Sequence, residues 1–414
     1  MLTNYLKIAL KVLQRRKFFT FVSLFGTSVT LLVLMIGSAI LDHALSPRAP
    51  EVGLDRTLVI SYMAMRGEGN EWSGNPGYGF LDRYCRNLPN VERMSIYSGL
   101  DQAPTFLGGD KAVWQLRRTD AEYWNVLDFD FLEGHPYGES DVAGGAHLVV
   151  LSEAAARRLF GKHEAVGKAF ETQGQTWTVV GVVRNVARTR DCAYADLWAP
   201  VTTFPTDVWK VRLMGDFNAM LLVDSPRHFP AIRAEFASRL PHVEMTEPER
   251  YKTMSGAPRT RLEDIAGEAA GLDSHDRPRT GLFLGGLVVL ALLFMLLPAI
   301  NLVNMNISRI FERVPEIGVR KAFGASTGHL VGQFVVENVV LSVLGGAIGL
   351  VMSVWALWLI NLSGLVPNAD FGMNVRVFLY GLGLAVIFGV LSGAYPAWRM
   401  ARLDPVESLR GGHR

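Results

Sequence analysis

Nine histidines and two cysteines are the residues best able to hold a metal, and none falls in a ligand pattern. There is no H-E-x-x-H helix and no Cys/His set at zinc spacing. The densest candidate, Asp273-Ser-His275-Asp276, lies in a polar stretch beside a long uncharged run and reads as a solvated linker. Ser152 lacks the G-x-S-x-G context of an activated nucleophile. It stands between strand-like His147-Leu-Val-Val-Leu151 and a helical run ending before Gly161, which suits a helix N-cap. A phosphate cradle would need G-x-x-x-x-G-K-[ST]. Phe160-Gly161-Lys162-His163 is only a helix stop followed by a base, and Gly108-Gly109 and Gly144-Gly145 read as turns. The sequence therefore predicts no catalytic residue, no metal and no cofactor bound by this chain.

The spacing that carries most information is Glu312-Arg-Val-Pro-Glu-Ile-Gly-Val-Arg-Lys-Ala-Phe-Gly-Ala-Ser326. Pro315 suits the first helical position, Glu316 the first turn, and Arg320 and Lys321 the last turn, where each charge matches the helix dipole. Gly324 suits the left-handed residue that ends a helix, and Ser326 can cap the next one, running through Gln333 and Glu337. A short charged helix is expected here. Its bland role is to close a hairpin; its mechanical role is to receive force from a partner.

The elements around it are set by charge. Four uncharged runs, Phe18–Leu41, Thr280–Ser308, Asn338–Ala369 and Val377–Trp398, hold 24, 29, 32 and 22 residues. About 20 apolar residues cross a bilayer core, so each run can span once. The third cannot span twice, and Asn361-Leu-Ser-Gly-Leu-Val-Pro367-Asn368-Ala-Asp370 reads as a surface loop. The first run is too long for a signal peptide and lacks a small-x-small cleavage site, so it is expected to remain as an anchor. Residues 1–17 carry five basic and no acidic residues, 309–337 four and three, and 399–414 four and two, whereas 42–279 carries 27 basic and 33 acidic. Positive segments stay in the cytoplasm, so all three basic segments and both termini fall on one side. This sorting excludes a nucleic-acid binder with a basic face and a single soluble domain.

The expected order is an interfacial amphipathic helix (1–17), a first transmembrane helix (18–41), an α+β domain outside (42–279) and a second transmembrane helix (280–308). A cytoplasmic coupling segment (309–337), a third transmembrane helix (338–362), a short external loop (363–376), a fourth transmembrane helix (377–398) and a cytoplasmic tail (399–414) follow. The fold class is thus an α-helical membrane protein with four transmembrane helices and a large α+β extracytoplasmic domain between the first and second. Strands are expected at Thr57–Met63, Met94–Tyr97, Ala112–Leu116, Thr176–Val183 and Ala219–Val223. Helices are expected at Phe80–Leu88, after Asp120 to about Leu127, and at Phe229–Leu240. Cys85 and Cys192 both lie outside, as a disulfide or as two separate buried thiols. The pairs Gly281/Gly285, Gly345/Gly349 and Gly389/Gly393 permit close helix packing in the membrane. Asn301, Asn304 and Asn306 read as hydrogen-bonding glue near the inner membrane boundary rather than a solute path. No run holds a charge at its centre, so no ion relay is suggested.

The segment Glu316–Ala325 with Gln333 and Glu337 resembles the signature of the FtsX-like permeases, the MacB group of ABC transporters. Tyr395-Pro-Ala-Trp-Arg-Met-Ala-Arg-Leu-Asp-Pro-Val-Glu-Ser-Leu-Arg410 is similar to the family's ending, and His147–Val183 to its periplasmic core domain. The resemblance implies a bacterial inner-membrane permease with no ATPase of its own. It implies a separate ATPase subunit that uses ATP and Mg, a second permease copy or paralogue, and a periplasmic adaptor. It further implies that Glu316, Ile317, Gly318, Arg320, Lys321 and Gly324 form a helix docking on the ATPase. Closure of the ATPase pair would then move the exterior domain, a mechanism called mechanotransmission. Efflux or extraction of a substrate is one reading; the other is a signal transducer acting on an exterior partner such as a cell-wall hydrolase.

Overall fold

The computed structural model describes residues 17–107, 109–161, 164–270, 280–312 and 327–401. The main helices among them are α1 (Lys17–Leu45), α2 (Glu153–Phe160), α3 (Phe229–Arg239), α4 (Arg261–Ala270), α5 (Thr280–Glu312), α6 (Thr327–Ser363) and α7 (Val375–Ala401). The strands are β1 (Thr57–Ile60), β2 (Met63–Arg66), β3 (Glu71–Gly74), β4 (Val91–Ser98), β5 (Asp101–Leu107), β6 (Asp110–Thr119), β7 (Phe131–Gly134), β8 (Leu148–Ser152), β9 (Ala169–Thr172), β10 (Gln175–Val183), β11 (Leu197–Pro200), β12 (Phe217–Val223) and β13 (Thr253–Gly256). Two compact units result. One holds the long apolar helices; the other holds Ala44–Phe283 together with Val366–Asp370.

In the helical unit, α1, α6 and α7 are long and apolar enough to cross a membrane. Helix α5 carries the shorter apolar stretch Thr280–Leu296. Leu31, Met35, Met295, Phe378 and Ala385 share one buried cluster, so α1, α5 and α7 meet there, with Leu350 of α6 against it. The pocket beside this cluster has a volume of only about 10 Å³. Glycine determines how closely two of the helices approach. A Cβ at Gly345 would lie 2.9 Å from Thr27 Cβ, and one at Gly349 would lie 3.1 Å from the Ser28 carbonyl oxygen. The Ser28 hydroxyl donates to the Gly345 carbonyl at 2.9 Å, a polar contact that the absent side chain permits. Gly389 similarly faces Ser342, whose Oγ would be 2.5 Å from a Cβ. Gly281 and Gly285 differ: a Cβ there meets no atom within 4 Å, so this pair makes no close contact among the described residues. The surroundings of Gly393, Asn301 and Asn306 lie outside the described set.

This contrast gives a direct test. Gly349→Leu should destabilise the helix bundle by about 1–3 kcal/mol, the cost of overpacking, whereas Gly281→Leu should leave it unchanged. Thermal aggregation of the purified protein in detergent measures both. Equal midpoints for the two variants would mean that the α1–α6 contact tolerates a side chain.

The other unit is built on a mixed sheet of ten strands in the order β1-β12-β4-β6-β11-β8-β10-β7, with β5 on β6 and β9 on β10. Strand β12, second from one edge and paired with β1 and β4, is buried at every position, as a strand covered on both faces must be. Strand β10 alternates at first, with Trp177 and Val179 buried and Thr176 and Thr178 exposed, and then runs fully buried into Val183. Parallel pairing of β10 with β8 leaves α2 as part of the crossover. Ser152 caps α2 as its sequence suggests, accepting from the Ala155 N–H at 3.2 Å, and Gly161 ends the helix at φ 74°. The carboxylate of Asp120 accepts from the Tyr123 N–H at 3.1 Å, opening the short helix Tyr123–Val126.

Two expectations change. The run Thr57–Met63 is two strands in different sheets, because the chain turns at Ser61, whose hydroxyl donates to Asp264 Oδ1 at 2.7 Å. Strand β2 instead joins the three-stranded sheet β13-β2-β3. The Phe80–Leu88 helix is shorter than its apolar spacing suggests. It consists of Tyr78–Phe80 and a wide turn over Leu81–Cys85, and Asn87 follows at φ 59°. The disulfide alternative is not realised. Cys85 packs with Phe80 and Phe236, Cys192 packs with Tyr97, Tyr123 and Trp198, and both are buried free thiols. Burial pushes both thiols upward in pKa, Cys192 to about 12, which leaves them unreactive at neutral pH.

Candidate transmission site at the Val186–Tyr194 segment

Between β10 and β11 the chain runs through Val186-Ala-Arg-Thr-Arg190-Asp191-Cys192-Ala-Tyr194. The sheet holds this segment from behind. Arg117 of β6 is 2% exposed and donates to three carbonyls: Asp191 at 2.8 Å, Tyr194 at 3.2 Å and Ser98 at 2.9 Å. The guanidinium also stacks over the Tyr97 ring at 4.8 Å. The Tyr123 hydroxyl donates to the Cys192 carbonyl at 2.9 Å. An arginine spent wholly on backbone carbonyls fixes the loop, since its planar fork loses little entropy per bond.

Three other stretches of chain arrive at the front of the segment. Arg190 donates to the carbonyl of Ser46, the residue after α1, at 2.7 Å, and pairs with Glu51 at 3.3 Å. Both partners of that pair are buried, at 3% and 5% side-chain exposure. Burial raises the Glu51 pKa, and the positive charges of Arg190 and Arg261 oppose the rise. Asp191 faces Arg261, the first residue of α4, at 3.7 Å; the same guanidinium lies 3.8 Å from Asp264. Asp264, itself held by Ser61, is also raised by burial. Finally, the Arg188 N–H reaches the Pro367 carbonyl at 3.5 Å, and the Asn368 amide donates to the Val186 carbonyl at 3.4 Å. These last bonds are long and weak, but they place the α6–α7 connection on the same segment. Asn368 adopts φ 59°, a left-handed conformation that asparagine tolerates.

The segment is thus a rigid node touched by the chain leaving α1, by α4 and by the loop between α6 and α7. It offers no catalytic group, and among the described residues no cluster of His, Cys, Asp or Glu could hold a metal. It combines one buried ion pair, Arg190–Glu51, with backbone carbonyl contacts and the more exposed Asp191–Arg261 pair. Sequence patterns do not reveal it, because Arg188, Arg190 and Asp191 look like an ordinary charged strand connection. The helix singled out by sequence, with Glu316, Ile317, Gly318, Arg320, Lys321 and Gly324, lies outside the described residues, as do Asp273–Asp276, residues 1–16 and the C-terminal 402–414. Ser326 also lies outside the described residues; helix α6 is described from Thr327 onward, and within it Gln333 donates to Glu337 at 3.3 Å.

Residues 20–239 match the MacB-like periplasmic core domain, and residues 288–405 match the FtsX-like permease C-terminal region. The chain belongs to the MacB/FtsX-like permease family. It is 25% identical over 367 residues to the uncharacterized ABC transporter permease YknZ of Bacillus subtilis, covering 86% of each. It is 26% identical over 310 residues to the macrolide export ATP-binding/permease protein MacB of Wolinella succinogenes. That match covers 74% of this chain but 45% of the macrolide exporter, so the chain spans less than half of that relative. Among solved structures, the periplasmic region of MacB from Actinobacillus actinomycetemcomitans is 14% identical, covers 54% of this chain and 96% of that one, and has a TM-score of 0.38. In this MacB-type permease the α+β unit is the periplasmic domain, and the node at Val186–Tyr194 lies within it.

Proposed function

We propose that this ABC transporter permease transmits ATP-driven motion from a separate ATPase subunit to its periplasmic domain, driving efflux or extraction of a substrate. The observation that carries this reading is the node. The residue following α1, the start of α4 and the α6–α7 loop all contact one rigid segment of the domain, so displacement of any of them is passed to the same sheet. In this reading all four apolar helices span the inner membrane, both termini are cytoplasmic, and the Glu316–Gly324 helix docks on the ATPase. Two permease copies, or one beside a paralogue, stand on an ATPase pair. A periplasmic adaptor meets the domain outside.

Site-specific labelling tests this reading. Leu365, at the start of the same loop, is exposed, and the two native thiols are buried and unreactive, so Leu365→Cys gives a single reporter that leaves the Asn368–Val186 contact in place. A membrane-impermeant maleimide should label it in intact spheroplasts. With the ATPase co-expressed, the rate should differ several-fold between the nucleotide-free and vanadate-trapped states. Equal rates in both states would rule out transmission through this loop, and labelling only after lysis would reverse the topology.

A further inference from the structure

On the face of the periplasmic domain formed by the ends of β4, β5 and β12, a pocket of about 260 Å³ is lined by Ser98, Asp101, Phe204, Trp209, Asp216 and Phe217. Three of these are aromatic and mutually packed, with ring centroids 5.6 Å (Phe204–Trp209), 5.6 Å (Phe204–Phe217) and 5.8 Å (Trp209–Phe217) apart. Two are carboxylates. Asp101 is held by Arg118, which is 3% exposed, at 2.6 Å, and the same guanidinium lies 4.4 Å from the centroid of Phe204. Asp216 makes no ion pair among the described residues. Its carboxylate sits against Gly99, where a Cβ would come within 2.3 Å of Oδ2, so the glycine leaves the room that the carboxylate occupies. Burial and the neighbouring charge of Asp101 both push the Asp216 pKa up. The two carboxylates therefore repel one another, and an added cation would relieve that repulsion.

Trp209 is 9% exposed, and its indole N–H has no acceptor among the described residues. That N–H is itself shut off from the cavity, so Trp209 offers the pocket its ring and not a donor. Arg117 opposes the rise at Asp216 but gives its hydrogen bonds to three backbone carbonyls, and Arg118 is paired with Asp101. Lys210, over the Trp209 ring at 5.5 Å, is paired with Asp207 at 2.7 Å, and Arg212 stands exposed at the rim.

We propose that this pocket binds a small organic cation, a quaternary or protonated amine on a compact apolar body. The ammonium sits against the Phe204, Trp209 and Phe217 rings beside Asp216 and Asp101. Aromatic faces attract such cations through the ring quadrupole, more strongly where water is excluded, and the carboxylates add the charge complement. A 260 Å³ cavity lies just below the usual range for ligand pockets, which sets the size at a compact amine.

Acetylcholine, a compact quaternary amine, is a suitable probe, and its neutral isostere 3,3-dimethylbutyl acetate has the same shape without the charge. Titration calorimetry on the full purified chain in non-ionic detergent should show the cation binding at least about tenfold more tightly than the isostere, equivalent to roughly 1.4 kcal/mol. Asp216→Asn, at an exposed position, should weaken the cation at least about fivefold and leave the isostere unchanged, and Phe204→Leu should weaken the cation more than the isostere. Equal binding of cation and isostere, or an Asp216→Asn chain that binds acetylcholine as well as the parent, would overturn the proposal. Neither arm involves an ATPase, so the outcome is independent of whether the coupling reading holds.

Discussion

Charge reversal at Glu316 is expected to abolish co-purification of the ATPase and transport together, while expression and membrane insertion stay normal. Glu316 falls in the first turn of the helix that the sequence places between α5 and α6. Its interaction with the helix dipole is worth only about 0.3–1 kcal/mol, too little to unfold a membrane protein. An exposed side chain that merely closes a hairpin would cost within about 0.5 kcal/mol and leave function intact. A docked helix is different, because a few residues dominate a small interface and Glu316→Arg would set a like charge against the partner. Pull-down of the ATPase with the variant chain, alongside a membrane-fraction blot, measures the effect. Undiminished binding with undiminished transport would remove this helix from the mechanism.

The second large effect is expected at Arg190. Arg190→Met leaves Glu51, at 5% exposure, without its cation and the Ser46 carbonyl without its donor. Breaking a buried pair by removing one partner typically costs about 3–5 kcal/mol, comparable to the whole stability of many domains. Adding Glu51→Gln should restore much of the loss, because the uncompensated charge is then gone. Arg190→Lys keeps the charge but supplies a point cation in place of a planar fork, so an intermediate cost is expected. Denaturant titration of the purified chain, followed by tryptophan fluorescence, would rank the variants. If the single and double variants were equally stable, the pair would contribute nothing beyond packing, and the node would be softer than its geometry indicates.

These two residues show how unevenly the protein can be read from its sequence. Glu316 is legible because its signals are local: a proline, an acid, two bases and a glycine at fixed offsets describe one helix without reference to the rest of the chain. Arg190 is not legible, because its partners Ser46 and Glu51 are 144 and 139 residues away and no short-range pattern links them. The same division runs through the glycine pairs. Gly345/Gly349 and Gly281/Gly285 are identical as motifs, yet one lies against α1 and the other has no close neighbour among the described residues.

By itself the sequence determined the long apolar helices, the insertion of an α+β domain between the first and second of them, and the phrases that resemble the permease family. Each depends on composition over about 20 residues or on a contiguous motif, where hydrophobic burial and helix geometry act locally. Tertiary structure alone decided that Thr57–Met63 divides between two sheets, that Cys85 and Cys192 sit in separate clusters, and that chain segments 46–51, 261–264 and 367–368 meet at Val186–Tyr194. It also gathered Asp101, Phe204, Trp209 and Asp216 from distant strands and turns into one pocket. The physical reason is the same in each case. Strand order and long-range charge pairing are selected by the free energy of the whole packed domain, and residues a hundred positions apart carry no mark of one another until the sheet brings them together.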